Sequence, residues 1–111
     1  MTEEERPAVL AEALAGARAI GDRKERSRAF AFLLLRLPEE DKLTVIDEAL
    51  ETVRSIDDEY ERSVALTKLA PYLPEEERRT VVAEALAASR AIDDEYERCN
   101  ALAALAPYLP E

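Results

Sequence analysis

From residue 38 onward the apolar side chains keep a helical beat: Val45, Ile46, Ala49, Leu50, Val53 and Ile56 recur at steps of three and four. Such steps put them on one face of an α-helix. The pattern predicts a first helix from about Pro38 to Ile56. Pro38 suits the first helical position, where a missing N–H costs nothing. Glu39, Glu40 and Asp41 then set negative charge against the positive end of the helix dipole. A second stripe, Ala65, Leu66, Leu69 and Ala70, predicts a second helix starting at Asp58. Asp58 and Glu61 stand three apart, the spacing of a capping box. Ala70-Pro71 is expected to end this helix, because the residue before a proline is pushed out of the α region.

The whole unit recurs. Leu73–Tyr108, aligned under Leu37–Tyr72 without a gap, is identical at 23 of 36 positions, and Met1–Arg36 shares 19 of 36 with the last unit. The first-helix stripe becomes Val9, Leu10, Ala13, Leu14, Ala17 and Ile20 in one copy and Val81, Val82, Ala85, Leu86, Ser89 and Ile92 in the other. A fixed period of roughly 20–50 residues marks a stacked-repeat architecture. A short helical hairpin cannot bury its apolar faces alone, so neighbouring copies must lean on one another. The chain is thus read as a single repeat domain over residues 1–111: repeat 1 at 1–36, repeat 2 at 37–72, repeat 3 at 73–108, and the start of a fourth at 109–111. The fold class is all-α, an α-solenoid of three 36-residue helical hairpins with six helices, expected to form a right-handed stack.

One constant feature is not explained by apolar packing. Asp22/Arg26, Asp58/Arg62 and Asp94/Arg98 lie at i, i+4 in every copy. Each arginine projects close to the buried side of its helix, where an unpaired charge is costly. Pairing with the Asp of its own or an adjacent repeat is expected, giving a ladder along the stack. An Asp near the start of the second helix, an Arg after it and an Ala-Leu core resemble HEAT-like repeats. The period and hairpin also resemble tetratricopeptide-like arrays, although the Trp, Gly and Tyr pattern of that family is not met. The wording Leu-Pro-Glu-Glu, Arg-Ala-Ile-x-Asp and Ala-Leu-x-x-Leu-Ala-Pro is similar to arrays appended to bacterial NACHT-type signalling NTPases. That resemblance covers the whole chain and implies a sensing or partner-binding module. It carries over no NTPase part and no ligand residue.

Composition narrows the function. Hydrophobic residues are 48% and dominated by Ala and Leu, aromatics are 5%, and there are only 2 Gly, a mixture that suits closely packed helices. The formal net charge of −10 counts against nucleic acid, whose affinity comes from neutralising phosphates, and against anionic membrane surfaces. No apolar run approaches the roughly 18–20 residues needed to span a bilayer. The acidic start, Thr2-Glu3-Glu4-Glu5, is unlike a signal peptide. The single Cys99 cannot form an internal disulfide, so a reducing, cytoplasmic setting is expected. Charge is also unevenly placed: repeat 1 has a net of +1, repeat 2 of −6 and repeat 3 of −4.

Chemistry has little to stand on. There is no His, hence neither the usual general base nor the commonest metal ligand. Cys99 aligns with Ser27 and Ser63, which reads as a position for a small residue rather than a nucleophile. The acidic triples Glu3–Glu5, Glu39–Asp41 and Glu75–Glu77 belong at helix starts for dipole reasons and show no cation-loop spacing. Gly16 and Gly21 make no phosphate loop. No enzymatic activity, cofactor or metal is expected.

The better clue is how the copies differ on the second helix, opposite its core stripe. Repeat 1 carries Lys24, Arg28, Ala31, Phe32 and Leu35; repeat 2 carries Tyr60, Val64, Thr67, Lys68 and Pro71; repeat 3 carries Tyr96, Asn100, Ala103, Ala104 and Pro107. Second helices usually line the concave side of such stacks, where partners bind. Free drift of solvated positions is the plain alternative. Repeat 1 departs furthest, with Phe30-Ala31-Phe32-Leu33-Leu34-Leu35 and no proline, so its helix is expected to run on to about Leu37 and to expose Phe32 and Leu35 beside Lys24 and Arg28. The expected contact residues are Lys24, Arg28, Phe32, Leu35, Tyr60, Val64, Lys68, Tyr96 and Asn100. The reading is a non-catalytic protein–protein interaction scaffold whose partner is a protein or peptide, with no nucleic acid or membrane. The second reading is a self-assembling module, natural fragment or designed, that associates through uncapped terminal repeats, since Ala101–Ala106 offers no polar end face.

Overall fold

A computed structural model describes residues 5–110. Six α-helices follow in order: α1 Arg6–Ala19, α2 Arg23–Leu34, α3 Glu39–Arg54, α4 Glu59–Leu69, α5 Glu75–Arg90 and α6 Glu95–Leu105. Short 3₁₀ turns at Ala70–Tyr72 and Ala106–Tyr108 follow α4 and α6, and no strand occurs among the described residues. A shift of 36 residues carries α3 onto α5 and α4 onto α6 at both ends. The stack measures 47 × 31 × 21 Å with a radius of gyration of 14.9 Å, above the ~13 Å of a compact chain this long. No helix among the described residues is long and apolar enough to cross a membrane.

The helix starts follow the local code with one difference. The side chains of Asp22, Asp58 and Asp94 accept from the backbone N–H of Glu25, Glu61 and Glu97 at 3.0, 2.8 and 2.9 Å, so the aspartate half of each expected capping box forms, while the Glu61 carboxylate turns instead to Arg28. Pro38 and Pro74 are N-caps rather than first helical residues, with ψ of 153° and 156°. The Pro38 carbonyl accepts from the N–H groups of Asp41 and Lys42, a task for which proline's own missing N–H is irrelevant. Glu3 and Glu4, expected in the first turn of the first helix, lie outside the described residues.

Two helix ends differ from expectation. α4 ends at Ala70-Pro71 where expected but by another route: Ala70 stays in the α region at φ −49°, ψ −45°, and the chain tightens through Pro71 into a 3₁₀ turn before it becomes extended at Leu73. Proline removes one backbone donor but not the torsional freedom of a tighter turn. In repeat 1, α2 does not run on to Leu37 as an α-helix but stops at Leu34. The N–H groups of Arg36 and Leu37 both bond to the Leu33 carbonyl, at 2.8 and 3.1 Å, which closes the end without any proline.

The core is one continuous cluster running along the stack, from Ala17 and Phe30 through Val45, Ala49, Val53, Leu66 and Leu69 to Val81, Ala85 and Leu105. Stacking decides who joins it. Val45 and Ala49 are 1% and 0% exposed, while their counterparts on α1, Val9 and Ala13, face outward, Val9 at 42%. Second helices touch directly, α2 on α4 and α4 on α6, with no comparably close backbone approach among α1, α3 and α5. The second helices therefore occupy the tighter, inner side of the stack.

The expected Asp–Arg ladder is not what holds the arginines. Arg26, Arg62 and Arg98 each donate from Nη1 to the carbonyl oxygen of Ile20, Ile56 and Ile92, at 2.9, 2.7 and 2.8 Å. These carbonyls close the first helix of the same hairpin, where the dipole is negative and acceptors are unpaired. The aspartates, committed to capping, are not the partners. A ladder does exist, but between first helices. Arg18 Nε and Nη2 grip both Glu48 oxygens at 2.8 and 2.6 Å, and Arg54 grips Glu84 in the same fork at 3.0 and 2.9 Å. The hydrogen bonds to Glu48 and Glu84 push both guanidinium pKa values above their usual range.

Candidate functional site

The nine side chains expected to contact a partner all stand outside the core. Lys24, Arg28, Phe32 and Leu35 are exposed on α2 and its C-cap, Lys68 is exposed on α4, and Tyr96 and Asn100 are exposed on α6, while Tyr60 and Val64 are half-buried. Phe32, Leu35 and Tyr96 are 60%, 63% and 77% exposed, unusual for side chains of their size. Thr67, counted among the varied outer positions, is instead buried, and its hydroxyl donates to the Ser63 carbonyl at 2.9 Å. Direct packing of second helix on second helix takes that edge of α4 away from solvent.

The structure draws four of the nine together. Lys24 and Arg28 from α2 and Val64 and Lys68 from α4 line one shallow cleft floored by Ser27 and Ile56, both buried. Its side walls are held by an ion pair, Arg28 Nη2 to Glu61 at 3.2 Å. Three cations and one anion at one cleft make a basic spot on a chain whose net charge is −10. Phe32 and Leu35 continue the same face of α2 beyond the cleft, since steps of four and three from Arg28 return to one side of a helix. The Arg36 guanidinium lies 3.8 Å from the Phe32 ring centroid and its Nη1 also donates to the Phe32 carbonyl at 2.9 Å. That stacking fixes the ring without covering it. Tyr60, Tyr96 and Asn100 are not among the residues that line the cleft.

Two members of this surface were not legible in the chain. Glu61 belongs to a cap in sequence terms, and only the approach of α4 to α2 sets it beside Arg28, 33 residues away. Arg36, in the turn after α2, reaches back over the Phe32 ring, a contact that no residue pattern marks. Leu43 on α3, 61% exposed, is another large apolar side chain at the surface, but it lies on a first helix and does not line the cleft. Cys99 is exposed, although its counterparts Ser27 and Ser63 are buried at 4% and 0%; Ser63 is covered by Ala85 and Ser89 of α5, and no described helix packs over Cys99 in that way.

Among the described residues no group of three or more His, Cys, Asp or Glu side chains is placed to hold a metal ion. Compared with protein families, curated proteins and solved structures, the chain matches none of them.

Proposed function

We propose that this chain is a non-catalytic interaction scaffold that binds a protein or peptide segment across the second helices, chiefly on repeat 1 and its junction with repeat 2. One observation carries the reading. Phe32 and Leu35, both more than half exposed, continue from a cleft bearing Lys24, Arg28 and Lys68. Large apolar side chains rimmed by charge are how interfaces are commonly built, with the aromatic as anchor and the charges setting orientation. The basic spot selects an acidic segment that also carries an apolar side chain for the Phe32–Leu35 shelf. The likeness of the repeat wording to arrays of bacterial NACHT-type NTPases, where such modules serve sensing or partner binding, agrees with this use. A cytoplasmic setting belongs to the same reading.

The test is a random-peptide display selection against the folded chain, followed by calorimetric titration of synthetic copies of the selected peptides. Acidic peptides with an apolar residue should be enriched. Their affinity should fall at least about tenfold on Lys24→Glu with Lys68→Glu, and again on Phe32→Ser with Leu35→Ser, with the helical melting curve unchanged. Selection of no peptide, or peptides indifferent to all four changes, would refute the proposal.

A further inference from the structure

We propose that the chain docks head to tail on a second copy of itself, repeat 3 of one copy receiving α1 of the next in the register that already joins repeats within the chain. This uses the ends of the stack rather than the second-helix face, so it stands or falls apart from the scaffold reading.

The first argument is an unfinished ladder. Arg18 binds Glu48 and Arg54 binds Glu84, each pair 30 residues apart and each a two-bond fork. The 36-residue period extends the series by one at either end, to Glu12 on α1 and Arg90 on α5. Both are exposed, and among the described residues neither belongs to an ion pair. Continuing the stack brings Arg90 of one copy to Glu12 of the next with the same fork. Opposite charges left at opposite ends favour a heterologous contact, and they give a two-fold contact of like ends no such pairing.

A second pair of groups fits the same register. Arg78 donates from Nε to the carbonyl of Ala70, in the closing turn of the preceding repeat, at 3.2 Å. Its counterpart on α1 is Arg6, and the counterpart of that carbonyl is the one of Ala106. The same step that seats Glu12 against Arg90 therefore sets Arg6 over the closing turn of repeat 3.

Burial agrees at both ends. Ser63 lies at 0% exposure because its hydroxyl meets the Ser89 hydroxyl at 2.6 Å and the Ala85 carbonyl at 3.3 Å on the next first helix. Its counterpart Cys99 is exposed, as is Ala106, counterpart of the fully buried Ala70. On the receiving copy, Val9 and Ala13 are uncovered where Val45 and Ala49 are sealed. In the docked pair Cys99 faces Ala13 as Ser63 faces Ala85.

The experiment blocks one end at a time and reads mass by light scattering over a range of concentrations. Ala13→Arg blocks the head and Ala103→Arg blocks the tail, both at exposed positions, so each variant should keep the parental helical content. The parent should grow beyond its 12.4 kDa as concentration rises. Each variant alone should stay at the monomer mass, and an equal mixture should form a dimer and nothing larger. Glu12→Arg should weaken association of the full chain, and adding Arg90→Glu should restore it. A parent that remains monomeric throughout, or a blocked variant that still dimerises alone, would overturn the proposal.

Discussion

The Nη1 of Arg62 donates to the carbonyl oxygen of Ile56 at 2.7 Å, so an arginine on α4 closes the end of α3. A second bond, at 3.3 Å, reaches the Asp57 carbonyl. The turn between the two helices of repeat 2 is thereby held by one half-buried cation bound to backbone. Charged hydrogen bonds of this kind contribute about 1.5–3 kcal/mol each in typical measurements. Replacing Arg62 by Ala should lower the urea-unfolding free energy by about that amount, whereas replacing Asp58 by Asn should cost little, since asparagine caps as well as aspartate. Equal losses from the two changes would show that the Asp–Arg spacing, not the carbonyl contact, is what matters.

Position 27 of the repeat is buried in repeat 2 and open in repeat 3, which gives a matched pair of substitutions. Ser63→Val must fit two methyl groups where one hydroxyl lies between α4 and α5, gives up that hydroxyl's bonds to Ala85 and Ser89, and is expected to cost about 1–3 kcal/mol. Cys99→Val meets solvent and is expected to change stability by less than about 0.5 kcal/mol. Chemical denaturation of the two variants, at low protein concentration, decides the matter.

Phe30 and Phe32 sit two residues apart with opposite fates. Phe30 is 2% exposed within the core cluster, so Phe30→Ala should cost about 3–5 kcal/mol. Phe32 is 60% exposed, and Phe32→Ser should stay within about 0.5 kcal/mol of the parent. A large loss at Phe32 in thermal melts would make it a structural residue and remove the anchor from the proposed surface.

The Arg54–Glu84 fork is open to water on both sides, with side chains 47% and 33% exposed. Its worth is bounded at up to about 1 kcal/mol, and Arg54→Ala should lose less in 1 M salt than in dilute buffer because exposed pairs are screened. The sign of its pH dependence follows from the raised guanidinium pKa. A group whose folded-state pKa is raised stabilises fully below its unfolded pKa and loses that contribution only as pH climbs through the folded value. Deprotonation of Arg54 therefore removes nothing until strongly alkaline solution, and the difference between parent and Arg54→Ala should not be eroded by arginine titration between about pH 7 and 10.

By itself the sequence determined the period, the number of helices and the inward side of α3 and α5, whereas on α1 the matching Val9 and Ala13 face outward. Caps, prolines and apolar steps of three and four act within one turn or two, so they are written wherever the chain is read. Even the exposure of Phe32 and Leu35 follows from their place on α2. The tertiary structure alone decided which distant groups meet. Arg62 turns to a carbonyl because α3 ends beside it, Glu48 and Glu84 find arginines 30 residues back, and Glu61 comes to stand by Arg28. The same step decided that Ser63 is sealed and Cys99 is not. Those outcomes depend on how one hairpin is rotated onto the next, a relation set by the shape of whole packed faces and spelled by no local run of residues.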